Sequence, residues 1–107
     1  MSAAGYRLHP DATKELDAAG EWYDAQLLGL SLELFDAVEE AIALILERPA
    51  AWPRDNVVAG RDIHRFVMRR FPFSIVYYVV DDLVRIVAIA HAKRRPGYWR
   101  LRMRDAI

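Results

Sequence analysis

Apolar residues return every three or four positions along the first half of the chain and every two along the second. Tyr6-Arg7-Leu8-His9 alternates and predicts a short strand. Pro10-Asp11 then opens a helix, with proline in the first turn and an acid at the positive helix end. Ala12, Leu16, Ala19, Tyr23 and Leu27 share one face of it, and Glu15, Asp17, Glu21 and Asp24 fall on others. Gly29 suits the end of this helix, and Ser31 suits the cap of the next. Leu34, Phe35, Val38, Ala41, Ile42 and Ile45 repeat the helical spacing until Pro49 stops it. The short link predicts an antiparallel helix hairpin. Residues 49–60 hold two prolines, Asn56 and Gly60 without a period, and read as a loop.

From residue 61 the period is two. His64, Phe66 and Met68 face one way, and Arg65, Val67 and Arg69 the other. Phe73 to Val80 is a β-branched and aromatic run, Asp81-Asp82 a tight turn, and Val84 to His91 a further strand. Lys93 to Ile107 is basic and aromatic, with a turn at Pro96-Gly97. The pattern predicts an α+β fold: an N-terminal strand, an antiparallel helix hairpin, a three-strand antiparallel meander, and a short basic C-terminal tail or helix. Residues 1–107 form a single domain in this reading. Phe73, Ile75, Tyr77 and Val79 point to one face, and Val76, Tyr78 and Val80 to the other. Two helices cover one face only, so the second is left to the tail, through Tyr98, Trp99 and Leu101, or to a partner.

Composition narrows the function classes. A hydrophobic content of 54% excludes a disordered chain. The lack of cysteine removes thiol catalysis, zinc–thiolate sites and disulfides. Charges interrupt every apolar run well before the ~20 residues a membrane helix needs. No secretory pattern shows at the first residues, so a cytoplasmic protein without a membrane partner is expected. The zero net charge hides an asymmetry. Residues 1–60 carry eleven acidic against four basic side chains, net −7, and residues 61–107 carry the reverse, net +7. A basic face of this kind attracts acidic peptides, phosphates or nucleic acid.

No phosphate loop, zinc-binding helix or nucleophile elbow is present, and no cofactor or metal is expected. His9, His64 and His91 are scattered, and the helical carboxylates read as solvated faces. One cluster stands out: His91, Lys93, Arg94, Arg95, Tyr98, Trp99, Arg100 and Arg102. Histidine moves protons near neutral pH, arginine holds phosphate or developing negative charge, and aromatic rings stack on bases. The same side chains would equally dock an anionic peptide, with Arg65, Arg69 and Arg70 extending either site.

The order Trp22-Tyr23, Gly29-Leu30, Phe35, Val38-Glu39, Ala41-Ile42, Pro49, Trp52-Pro53, Arg70-Phe71-Pro72-Phe73, Ile75 and Tyr77-Tyr78, closing on His91-Ala92-Lys93-Arg94-Arg95-Pro96-Gly97-Tyr98-Trp99, resembles the RelE/ParE superfamily of bacterial toxins. These are often labelled plasmid stabilisation proteins. The resemblance implies a growth-inhibiting toxin held inactive by a small acidic antitoxin, whose N-terminal part binds DNA and whose C-terminal part wraps the toxin. DNA contact would run only through that antitoxin. Expected antitoxin contacts are Arg65, Arg69, Arg70, Tyr78, Lys93, Arg94 and Arg95, and expected target contacts are Arg94, Tyr98, Trp99 and Arg100. The superfamily divides by target. RelE-like members cut mRNA in the ribosome, and here His91, Arg94, Tyr98 and Arg65 would be the catalytic candidates. ParE-like members inhibit DNA gyrase. RelE-like nucleases often carry an arginine after the aromatic residue of the central strand, where this chain has Ser74. Losing such a cation costs roughly 10² to 10³ in rate. The loop before the sheet also lacks lysines, offering only Arg54 and Arg61. The resemblance therefore favours the ParE-like branch.

Overall fold

The computed structural model describes residues 1–105 and 107. The chain runs β1 (Gly5–Leu8), α1 (Pro10–Gln26), α2 (Leu30–Glu47), β2 (Arg54–Val58), β3 (Arg61–Val67), β4 (Phe73–Val80), β5 (Leu83–His91) and a 3₁₀ turn, Arg100–Arg104. The strands form one sheet in the order β1-β5-β4-β3-β2. The α+β fold, the helix hairpin and the antiparallel meander are as the sequence predicts. The meander has four strands, because the loop assigned to residues 49–60 contains β2. No alternation marks β2 in sequence. Its pairing comes from the turn at Ala59 and Gly60, both at positive φ, as a twisted two-residue hairpin requires. Asp81 and Asp82 make the corresponding turn between β4 and β5, also at positive φ.

Local chemistry explains the helix ends. His9 stands at the N-cap of α1, where its Nδ1 accepts the Asp11 N–H at 3.0 Å, and Pro10 follows it. α1 ends at Gln26, so Leu27 falls in the turn and is exposed, not on the buried face. Gly29, at φ 91°, turns the chain into α2. Ser31 is not the cap. Asp24 reaches over from α1, accepts the Gly29 and Ser31 N–H groups at 3.1 and 2.9 Å, and takes the Ser31 hydroxyl at 2.7 Å.

Helices and sheet enclose the main core, with Leu34, Val38, Ile42 and Ile45 of α2 packed among Phe73, Ile75, Tyr77, Val84, Ile86 and Ile89. The second face carries Ile63, Val76, Tyr78, Val87, Ala88 and Ala90, closed by Trp99 at 1% exposure. The tail therefore does cover this face, with Trp99 and Met103 packed against it, while Leu101 points to solvent. β5 supplies both faces through a bulge. Tyr77 pairs with Ile86 and Val76 with Ala88, which leaves Val87 without an opposite residue. The extra residue puts both Val87 and Ala88 on the second face and returns Ile89 to the first.

A candidate partner-binding surface

β1 pairs with β5 only as far as Leu8 and Ile86, with the His9 N–H closing on the Ile86 carbonyl at 2.8 Å. β5 continues to His91, so its outer edge beyond Ile86 has no neighbouring strand among the described residues. Side chains fill that place. Glu15 of α1 accepts the Ile89 N–H at 3.1 Å, and Arg102 donates to the Val87 carbonyl at 3.1 Å. The two form a bidentate pair, at 2.8 and 3.1 Å, and Asp11 stands 3.7 Å from the Arg102 Nε. The Tyr98 hydroxyl donates to the same Glu15 carboxylate. Burial, then this hydrogen bond and the Glu15 charge, push the Tyr98 pKa above the ordinary tyrosine range. Burial alone would pull Arg102 down, but Glu15 more than offsets it and raises the Arg102 pKa. A fourth contact ties the same segment to α1: His9 Nε2 donates to Asp105 at 2.6 Å, a role fixed because Nδ1 is already an acceptor.

This clasp positions the basic residues. Arg65, His91, Arg94, Arg95 and Tyr98 surround one pocket of about 260 Å³, with Asp55 beside Arg65 in its lining. The Arg94 guanidinium lies 3.9 Å from the Tyr98 ring centroid. His91 is half-buried, edge-on to Phe73, and its Nδ1 accepts the Lys93 N–H at 3.0 Å. Arg65 is held by Asp55 at 3.3 Å, and Asp55 is the unpaired residue of the β2 bulge. Lys93, Arg95 and Arg100 are exposed. Gly97, at φ 75°, allows the turn, since a Cβ there would lie 2.6 Å from the Arg100 side chain.

Other expected contacts lie elsewhere. Arg69 and Arg70 sit in the turn after β3, not on the strand. They line a separate groove of about 560 Å³ against α2, with Leu44, Trp52 and Phe66, and Arg70 is paired with Glu33. Tyr78 is 7% exposed beneath the tail, and Trp99 is its plug, so neither presents its ring to a partner or target in this conformation. Both are aromatic residues that gain more by burying each other than by facing water. Sequence reasoning missed Glu15, reading it as solvated helix face. Its i, i+4 relation to Asp11 was visible, but the arginine that makes it a structural node lies 87 positions away. His64 is half-buried at the edge of the core, stacked on Tyr77 and bonded to the Trp52 carbonyl at 2.8 Å. Among the described residues no group of carboxylates and histidines gathers for a metal ion, and no helix is long and apolar enough to cross a membrane.

Another groove adjoins the clasp on the helix side of the sheet. Ala18, Ala19, Trp22 and Tyr23 of α1 face Phe73, Ile89, His91 and Arg94 across about 410 Å³, alongside the open part of the β5 edge. Trp22 is 59% exposed at its lip.

Residues 6–96 match the family model of the ParE toxin of the type II toxin-antitoxin system parDE. The chain belongs to the ParE toxin family. The same architecture occurs in a solved structure described as the chromosomal ParDE TA system from P. aeruginosa, at 19% identity and a TM-score of 0.71, covering 83% of this chain and 96% of that one. No curated protein matches the sequence. The family match of this ParE chain ends at Pro96, so Tyr98, Arg102 and Asp105, which fasten the tail to α1, lie beyond it.

Proposed function

We propose that this ParE chain arrests bacterial growth by binding DNA gyrase in the cytoplasm, and that a cognate acidic antitoxin neutralises it by covering the basic surface around Arg65, Lys93, Arg94 and Arg95. Family membership supports a toxin, and one observation carries the choice of a binding toxin over a nuclease. The Tyr98 hydroxyl is committed to Glu15, and its raised pKa keeps it protonated across the physiological range. A tyrosine so held is a poor general base, and of the two arginines at its ring Arg102 is neutralised by the same carboxylate. Ser74, 7% exposed on the sheet, supplies no positive charge for a phosphate transition state. His91, Arg94 and Arg65 remain near one another, and on this reading they serve recognition.

The test is gyrase supercoiling with purified protein beside primer extension on translated message. Inhibited supercoiling with intact message is the expected result. Message cut only when translated, with supercoiling untouched, would replace this reading with a ribosome-dependent nuclease.

A further inference from the structure

The groove between α1 and the open edge of β5 has the properties of a peptide anchor site. Its floor is apolar, from Phe73 and Ile89, and its wall is Ala18 and Ala19. Trp22 stands at the lip largely exposed, edge-to-face on Tyr23 at 5.1 Å. An exposed tryptophan beside an apolar recess is the composition of a binding hot spot. The strand edge adds polar capacity. The Ile89 N–H points away from β4 to reach Glu15, and a strand residue's carbonyl points the same way as its N–H. The Ile89 carbonyl therefore lies on the side where no strand follows β1.

Charge selects the occupant. His91 and Arg94 line the groove at its sheet end, and Lys93 and Arg95 flank Arg94. The acid at that end is Glu15, and its oxygens are already shared among Ile89, Tyr98 and Arg102. Asp17 and Glu21, exposed on α1, lie outside the groove lining. We infer that this groove takes a segment of a protein partner in which a branched aliphatic or aromatic side chain stands next to an aspartate or glutamate: the apolar side chain enters between Trp22, Phe73 and Ile89, and the carboxylate meets Arg94. The inference rests on the toxin reading to the extent that the antitoxin is the partner supplying the segment.

The probe is a set of nine-residue synthetic peptides with a central Leu, Ile or Phe flanked by Asp or Glu, against a matched set flanked by Lys. Each is titrated into the ¹⁵N-labelled full chain. The acidic peptides are expected to shift the Trp22 indole N–H and the Ile89 and His91 amides, and the Lys set to leave them still. Ala18→Arg, at an exposed helix position, fills the groove and is expected to weaken binding at least tenfold with the rest of the spectrum unchanged. Arg94→Glu is expected to reverse the preference, weakening the acidic set and admitting the Lys set. The inference is overturned if neither set shifts the groove signals, if both sets bind alike, or if Ala18→Arg binds as wild type does. A short single-stranded RNA that moves the same signals more strongly than any peptide overturns it as well. Failure of the toxin reading shows separately, as normal growth on overexpression and unaltered supercoiling by the wild-type protein.

Discussion

At the scale of single residues, Glu15 organises more of the molecule than any other side chain in the clasp. It replaces a missing strand at Ile89, neutralises a largely buried arginine and receives the Tyr98 hydroxyl. Glu15→Ala would leave the Arg102 side chain, 14% exposed, with Asp11 at 3.7 Å as its remaining counter-charge, and is expected to cost about 1–3 kcal/mol. Glu15→Gln keeps an acceptor for Ile89 and should cost less. Urea denaturation of the two variants orders them, and equal losses would mean that the charge is immaterial. Ala59 offers the opposite case. It occupies a left-handed turn position at φ 52°, which asparagine tolerates better than alanine. Ala59→Asn is expected to raise stability by about 0.5–1 kcal/mol, read as a higher urea midpoint at unchanged slope.

Legibility at this scale tracks sequence distance. His91, Arg94, Arg95 and Tyr98 are neighbours in the chain, so their convergence can be read directly. Arg65 joins them through strand pairing, which the alternation from residue 61 also exposes. Tyr78 and Trp99 look partner-facing in sequence and are not, because an aromatic residue reads the same whether it binds another protein or the chain's own tail.

At the scale of elements, the helix hairpin rests on a close approach. A Cβ on Gly20 of α1 would meet the Phe35 ring of α2 at 2.6 Å. Gly20→Ala should therefore destabilise by about 1–2 kcal/mol despite alanine's better helix propensity, because the ring must move. Phe35→Leu in the same chain should recover part of that loss. A double-mutant cycle measures the coupling, and additive effects would show that the two helices adjust freely. The turn between them depends on pH through Asp24. Hydrogen bonds from Ser31 and Gly29 hold its carboxyl below the usual value of 3.8. The stabilisation is complete above that unfolded value and disappears as pH falls through the lower folded one. Asp24→Asn should accelerate amide exchange at Gly29 and Ser31 near pH 6, and the difference from wild type should shrink at acid pH once both side chains are neutral.

The elements themselves are mostly visible in sequence, because helices of 17 and 18 residues and strands of seven to nine show their periods clearly. β2 is not. Five residues that are largely exposed, on a sheet edge and with a bulge at Asp55, leave no alternation to detect. The β5 bulge is hidden for a related reason. An unbroken apolar strand reads the same in either register.

At the scale of the whole molecule, the tail is part of the core. Removing residues 98–107 would expose Ile63, Val76 and Val87 on the second face and free the Glu15 carboxylate. Such a truncation is expected to bind a hydrophobic dye and lose its cooperative unfolding transition, checked by dye fluorescence and urea melts. A compact, dye-negative truncation would show the first face to be sufficient for folding. The −7 and +7 halves of the sequence are also stitched together here, through Glu15 and Asp11 on α1 and Arg102 in the tail, so part of the charge asymmetry is consumed internally.

The parallel pairing of β1 with β5 has a consequence for synthesis. Tyr6 is made well before its partner Val84, and the arginine that closes the clasp comes later still. The helix hairpin alone has no sheet on which to lay its apolar stripe. A chain emerging from the ribosome therefore stays without its finished surface until β5 and the tail have been released. The order of synthesis thus runs opposite to the order of closure: the first strand waits for β5, and the surface that the clasp positions is the last part of the fold to form.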